Sequence, residues 1–151
     1  MDFKIAKNIS RMAAIQLMYE KSIRNINTTS ALGSFNDYIH NNNEFIYNKM
    51  HSRFFKKLVS HFQEAVDFND IYSKCILNSK MIEDSEVLNS IIKVATLEMM
   101  YEKTYLPIVI NEYVEISKNF TSDNDVKLIN AILDKISKYI EKQCQRQRIV
   151  A

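Results

Sequence analysis

An all-α fold is predicted by three observations. Of 151 residues, one is glycine (Gly33) and one is proline (Pro107), whereas sheet proteins place both residue types at their turns. Apolar residues recur at helical rather than alternating spacing along most of the chain. Capping residues and the lone proline fall at the ends of those apolar stripes. Six or seven helices in a single domain spanning residues 1–151 follow. A chain of this length is one domain's worth and buries roughly two-thirds of its unfolded surface. A hydrophobic content of 46% with 25% charged residues fits a folded rather than a disordered chain.

The first helix is expected over residues 3–22, with Ile5, Ile9, Met12, Gln16 and Tyr19 as its stripe and Ala13 and Leu17 beside them. Residues 25–33 (NINTTSALG) are polar and turn-prone and read as a loop. A short helix over 35–40 is interrupted by Asn41, Asn42 and Asn43. From 44 to 77 the pattern is helical, with Phe54, Leu58, Phe62, Val66 and Ile71 on one side, a break near 67–69 and a link at 78–80.

Asp84 or Ser85 can cap the next helix, whose stripe is Leu88, Ile91, Ile92, Ala95 and Met99. That helix must end before Pro107, because the residue preceding a proline is disfavoured in the α region. Pro107 itself suits a first helical turn. The helix it opens is expected to bury Ile110, Val114 and Ser117 beside Val109, Tyr113, Ile116 and Phe120. Ser122 with Asp125 reads as a capping box with Asp in the place of Glu. The last helix carries Val126, Ile129, Leu133, Ile136 and Ile140, and residues 142–151 are expected to fray.

Several function classes are excluded by the same residues. With a single glycine there is no phosphate-cradling or dinucleotide loop, so no cofactor is expected. His40, His51 and His61 lack HxxxH or HExxH spacing, so no metal site is expected. Cys75 and Cys144 form no CxxC pair and neither neighbours a histidine. They read as reduced thiols of a cytoplasmic protein. No apolar run reaches the roughly 18–20 residues of a membrane span, and MDFKIAKNIS lacks the apolar core of a signal peptide. Glu98, Asn111 and Glu112 read as structural polar groups at helix contacts, Glu98 requiring a buried partner. No catalytic residue is expected.

The basic residues are the functional candidates. A net charge of +2 is too mild to indicate nucleic-acid binding by itself. However, Lys4, Lys7 and Arg11 fall at i, i+3 and i+7, on one flank of the first helix. Lys21 and Arg24 extend the cluster, opposed by Asp2 and Glu20. Such a flank attracts phosphates, and arginine can bind them through two parallel hydrogen bonds. On spacing alone, a solvated helix face is the commoner explanation.

A longer-range pattern shifts that balance. Lys93-Val94-Ala95, Glu98, Val109-Ile110-Asn111-Glu112, Glu115, Lys118 to Phe120, Asn130 and Leu133-Asp134-Lys135 occur in that order, preceded by the block RMAAIQLMY from Arg11 to Tyr19. This series resembles the bacterial transcription antitermination NusB family. The resemblance implies two small helical bundles packed together and a non-enzymatic RNA-binding factor. Its basic first helix would hold single-stranded RNA of the boxA class, Lys7 and Arg11 matching basic positions there, with Lys93 and Lys127 as secondary RNA contacts.

Implied partners are NusE, a small-subunit ribosomal protein, and the transcription elongation complex. The family includes dimers as well as monomers, so a homodimer is also admitted. The chain departs from the pattern at Thr121 and Ala131, which replace common glycines, in a loop before Val109 one residue shorter, and at two places that bear on RNA contact. Asn8, Ile9 and Ser10 interrupt what is often an arginine run, and Leu128 stands where an aromatic usually adjoins Lys127. The alternative reading is a helical protein-interaction module with no RNA role. A third, the N-terminal domain of a ribosomal RNA cytosine methyltransferase, would need a catalytic domain for which 151 residues are expected to leave no room.

Overall fold

A computed structural model describes residues 3–43, 48–75, 77–78, 82 and 84–150, with backbone alone at 42–43 and 147–150. The expected all-α class is what is found. The described residues form seven α-helices and no strand: α1 (Phe3–Arg24), α2 (Thr28–Tyr38), α3 (Ser52–Ser60), α4 (Phe68–Lys74), α5 (Glu86–Tyr101), α6 (Leu106–Ser117) and α7 (Asp123–Val150). A π-helical turn, Ile39–Asn43, follows α2, and a 3-10 turn, His61–Gln63, follows α3. Two compact units result, Met1–Glu64 and Ala65–Ala151. No helix among the described residues is long and apolar enough to cross a membrane.

In the first unit, α1 buries Ser10, Arg11, Ala13, Ala14, Ile15, Leu17 and Met18. This corrects the expected stripe: Ile5 is 52% exposed and Tyr19 38% exposed. The helix is turned by one residue, about 100°, toward its smaller side chains. Ser10, Ala13 and Ala14 allow close approach, and α3 is the element that packs there. Ser10 Oγ lies 3.0 Å from the carbonyl oxygens of both Ala6 and His51, either of which can accept its one proton. The same oxygen accepts the His51 backbone N–H at 2.9 Å. A larger residue at position 10 would separate the two helices and break all three contacts.

Helix α2 begins at Thr28, so the loop expected over 25–33 is confined to its first three residues. The Asn27 side chain accepts from the Ser30 N–H at 2.8 Å, capping the helix, and Thr28, Ala31 and Phe35 are buried. Gly33 has no positive φ; Asn25, at φ 51°, takes the left-handed turn after α1. The helical stretch expected over 44–77 is divided at the 3-10 turn and again before α4, and its residues 44–47 lie outside the described ones. His51 caps α3 by accepting from the Phe54 N–H at Nδ1, 3.1 Å away.

In the second unit, α5, α6 and α7 pack pairwise and α4 packs on α7. Asp67 caps α4 at the Asp70 N–H (3.0 Å). Ser85 caps α5 at the Leu88 N–H (3.2 Å), and Ser122 accepts from the Asp125 N–H (3.3 Å) at the start of α7. Pro107 sits in the first turn of α6, as expected. The buried face of α6 is Val109, Glu112, Tyr113, Ile116 and Ser117. Ile110 and Val114 are only half-buried and Phe120 is exposed, because the inward side is set by the large Tyr113 ring. The Tyr113 hydroxyl donates to Glu98 Oε1 at 2.9 Å, and both residues are fully buried. Glu98 therefore has the partner its burial demands. On α7, Ile129, Ile132, Leu133, Ile136 and Ile140 are buried, and the helix continues through the residues from Lys142 to Val150 that were expected to fray.

Three substitutions test these contacts by urea denaturation. Ser10→Leu is expected to cost about 1–3 kcal/mol by overpacking, and Ser10→Ala about 1 kcal/mol through lost hydrogen bonds. Tyr113→Phe removes a donor from a buried carboxylate and is expected to cost about 1–3 kcal/mol. An unchanged midpoint would mean that the phenol does not support Glu98.

Candidate nucleic-acid interface

Three of the five sequence-predicted cations come together in the first unit. Lys4 is exposed, Lys7 half-buried and Arg11 buried, at 3% exposure. At i, i+3 and i+7 they share one flank of α1, but Arg11 is not on the exposed part of it. Its guanidinium carbon lies 5.0 Å from the centroid of the Phe54 ring, and its Nη1 donates to Asn8 Oδ1 at 2.8 Å. Lys7 Nζ lies 5.1 Å from the same ring and 5.6 Å from that of Phe3. Phe3 in turn meets the His51 ring edge-on at 4.9 Å.

The arrangement has a definite electrostatic character. A buried guanidinium is costly unless its surroundings replace water, and here a ring face and an amide oxygen do so. Each such cation–π contact contributes about 0.5–2 kcal/mol, depending on desolvation. Lys7 and Arg11 nevertheless share one ring, and like charges at i, i+4 repel. An anion arriving at this flank would relieve that repulsion. The role of Phe54 and Asn8 in organising the cations has no signal in the sequence. Phe54 reads there as one more core residue, and nothing in its spacing reveals that its ring faces α1.

The remaining candidates lie elsewhere. Arg24 is engaged by Glu20 (2.7 Å) and by Ser34 Oγ (3.1 Å). In the second unit, Lys93 is half-buried with its Nζ 5.4 Å from the Phe68 ring. Lys127 is exposed and lines a groove of about 630 Å³ between α6 and α7 with Asn111, Asn130, Asp134 and Glu141. That groove does not include Lys93 and is of mixed charge. Among the described residues, no group of three or more His, Cys, Asp or Glu side chains could hold a metal ion. Both thiols are free, and burial pushes that of Cys75 up despite the opposing charge of Lys135, which disfavours the reactive thiolate.

The shared ring is testable by a double-mutant cycle. Phe54→Leu and Arg11→Met, singly and together, are expected to give a coupling of about 1 kcal/mol in urea denaturation. Additive losses would show that ring and guanidinium are neighbours without a mutual interaction.

Residues 8–138 match the NusB family. Among relatives bearing the name transcription antitermination protein NusB, that of Aliarcobacter butzleri is 32% identical over 124 residues, covering 82% of this chain and 76% of the relative. That of Clostridium botulinum is 27% identical over 135 residues, covering 87% and 98%. The one from Psychromonas ingrahamii is 24% identical over 140 residues, covering 91% and 92%. With Arg11, Phe54, α5, α6 and the first half of α7 inside a matched span that covers most of the sequence, the chain belongs to the NusB family.

Proposed function

We propose that this chain is a non-enzymatic, RNA-binding transcription antitermination factor. With NusE it binds boxA-type single-stranded RNA in nascent ribosomal RNA and couples it to the elongating polymerase in the cytoplasm. The observation that carries the reading is the cluster on α1, with Lys4 exposed, Lys7 partly so, and Arg11 fixed between Phe54 and Asn8. Phosphate contacts from Lys4 and Lys7 would position the strand, while base contacts specify it. Arg11 would act mainly by holding the local potential positive and the flank rigid. Lys93 and Lys127 are secondary contacts in this reading.

Burial of Arg11 favours a second reading, a protein-interaction module in which the α1 cations are structural. Titration of a boxA-type RNA, with and without NusE, at two salt concentrations separates the two. Each single-strand phosphate contact contributes a slope of about 0.7 in log K against log salt. The Lys4→Gln/Lys7→Gln variant is therefore expected to lower the slope by about 1.4 and to weaken binding. NusE binding with an RNA affinity and slope that these substitutions leave unchanged would support the interaction module instead.

A further inference from the structure

A concentration of positive charge in the second unit lies apart from the α1 cluster just described. A groove of about 640 Å³ between α4 and α7 is lined by Lys74, Cys75, Lys135, Lys138, Tyr139, Lys142, Gln143 and Arg146. Five of these eight are cations and none is a carboxylate. On α7 the cations recur at i, i+3, i+7 and i+11, which keeps them on one face. At 1.5 Å per residue they form a row about 16 Å long.

The nearest compensation is weak. Lys74 pairs with Asp70 at 3.3 Å and Lys138 with Asp134 at 3.0 Å, each on its own helix, with every partner about half exposed or more. Such pairs contribute little and yield readily to a stronger anion. Glu141 and Asp134 line the α6 side of α7 instead. In its second half the helix thus presents Asp134 and Glu141 to one groove and Lys135, Lys142 and Arg146 to the other, with Lys138 lining both.

We propose that the α4–α7 groove is a second binding track for the phosphate backbone of single-stranded RNA. A row of regularly spaced cations matches a polymer of regularly spaced charges better than it matches a compact anion. The half-buried Tyr139 and Gln143 add an aromatic face and an amide. Single-strand channels combine these elements, a cationic groove with an aromatic on which any base can stack. Contacts of this kind are sequence-tolerant, so the groove would hold RNA flanking a specified segment rather than read it. That the polymer is RNA rests on the function proposed above; the groove itself does not.

The test uses the full chain and fluorescence anisotropy with labelled oligouridine, a sequence-neutral probe, over a salt series. Lys135→Gln/Lys142→Gln/Arg146→Gln is expected to lower the salt slope by about 2 and the affinity about a hundredfold at about 0.1 M salt. Lys142→Glu alone serves if the triple variant fails to fold, and should weaken binding more than Lys142→Gln. Unchanged slope and affinity in the groove variants would overturn the proposal. If Lys4→Gln/Lys7→Gln still lowers them, the function proposed for α1 survives that result. A wild-type chain that binds no RNA would overturn both. Labelled polyglutamate that binds and is lost in the groove variants, with RNA binding untouched, would assign the groove to an acidic polypeptide and likewise overturn the RNA track.

Discussion

The hydroxyl of Ser10 fixes the geometry on which the first unit depends. It sits where α1 meets the start of α3, within 3.0 Å of carbonyls on both sides and accepting the His51 N–H. Such close approach requires small residues, and Ser10, Ala13 and Ala14 supply them. The consequences reach the candidate interface directly. With α1 turned to this face, the neighbouring Arg11 is drawn inward and the Phe54 ring of α3 lies beneath both Arg11 and Lys7. His51, whose backbone is held by Ser10, also caps α3 with its ring. One small polar residue therefore sets the helix rotation and, through it, which cations reach solvent.

The second unit is organised by a different constraint. Glu98 is fully buried on α5, and a carboxylate in that position must be hydrogen-bonded; the Tyr113 hydroxyl on α6 meets it. Fixing α6 to α5 in this way leaves α7 to pack its isoleucines against both helices and to expose its remaining sides. Those sides are chemically unlike. The α6 groove carries Asn111, Asn130, Asp134 and Glu141 beside Lys127, whereas the α4 groove carries cations and no carboxylate. A near-neutral net charge, +2 over the whole chain, thus conceals a local separation of charge along a single helix.

Much of the fold was legible because its signals are local. Ser85, Ser122 and Pro107 mark helix starts through bonds or dihedrals spanning a few residues, and the structure has each where expected. Stripes of large aliphatic residues on α5 and α7 also fall inside, since no other face of those helices could cover them. The errors arise where a signal needs a partner. Residues 25–33 looked like a loop, yet an Asn27 cap and the burial of Thr28, Ala31 and Phe35 extend α2 through Gly33. The buried α1 stripe lies one residue from the one its large side chains mark, because the small Ser10, Ala13 and Ala14 permit the closer helix contact. Of the candidate site, the shared flank of Lys4, Lys7 and Arg11 was legible from spacing; the ring that gathers two of them was not.

The sequence by itself determined the all-α class, the positions of most helix starts, the need of Glu98 for a partner, and the family resemblance. These depend on composition, on i to i+4 relations and on residue order, all of which the chain carries without being folded. Tertiary structure alone decided that Arg11 is buried over Phe54, and that Lys135, Lys142 and Arg146 face α4 while Asp134 and Glu141 face α6. Rotation of a helix about its axis is set by which neighbour can approach most closely. That depends on surfaces brought together from distant parts of the chain, and no local pattern encodes it.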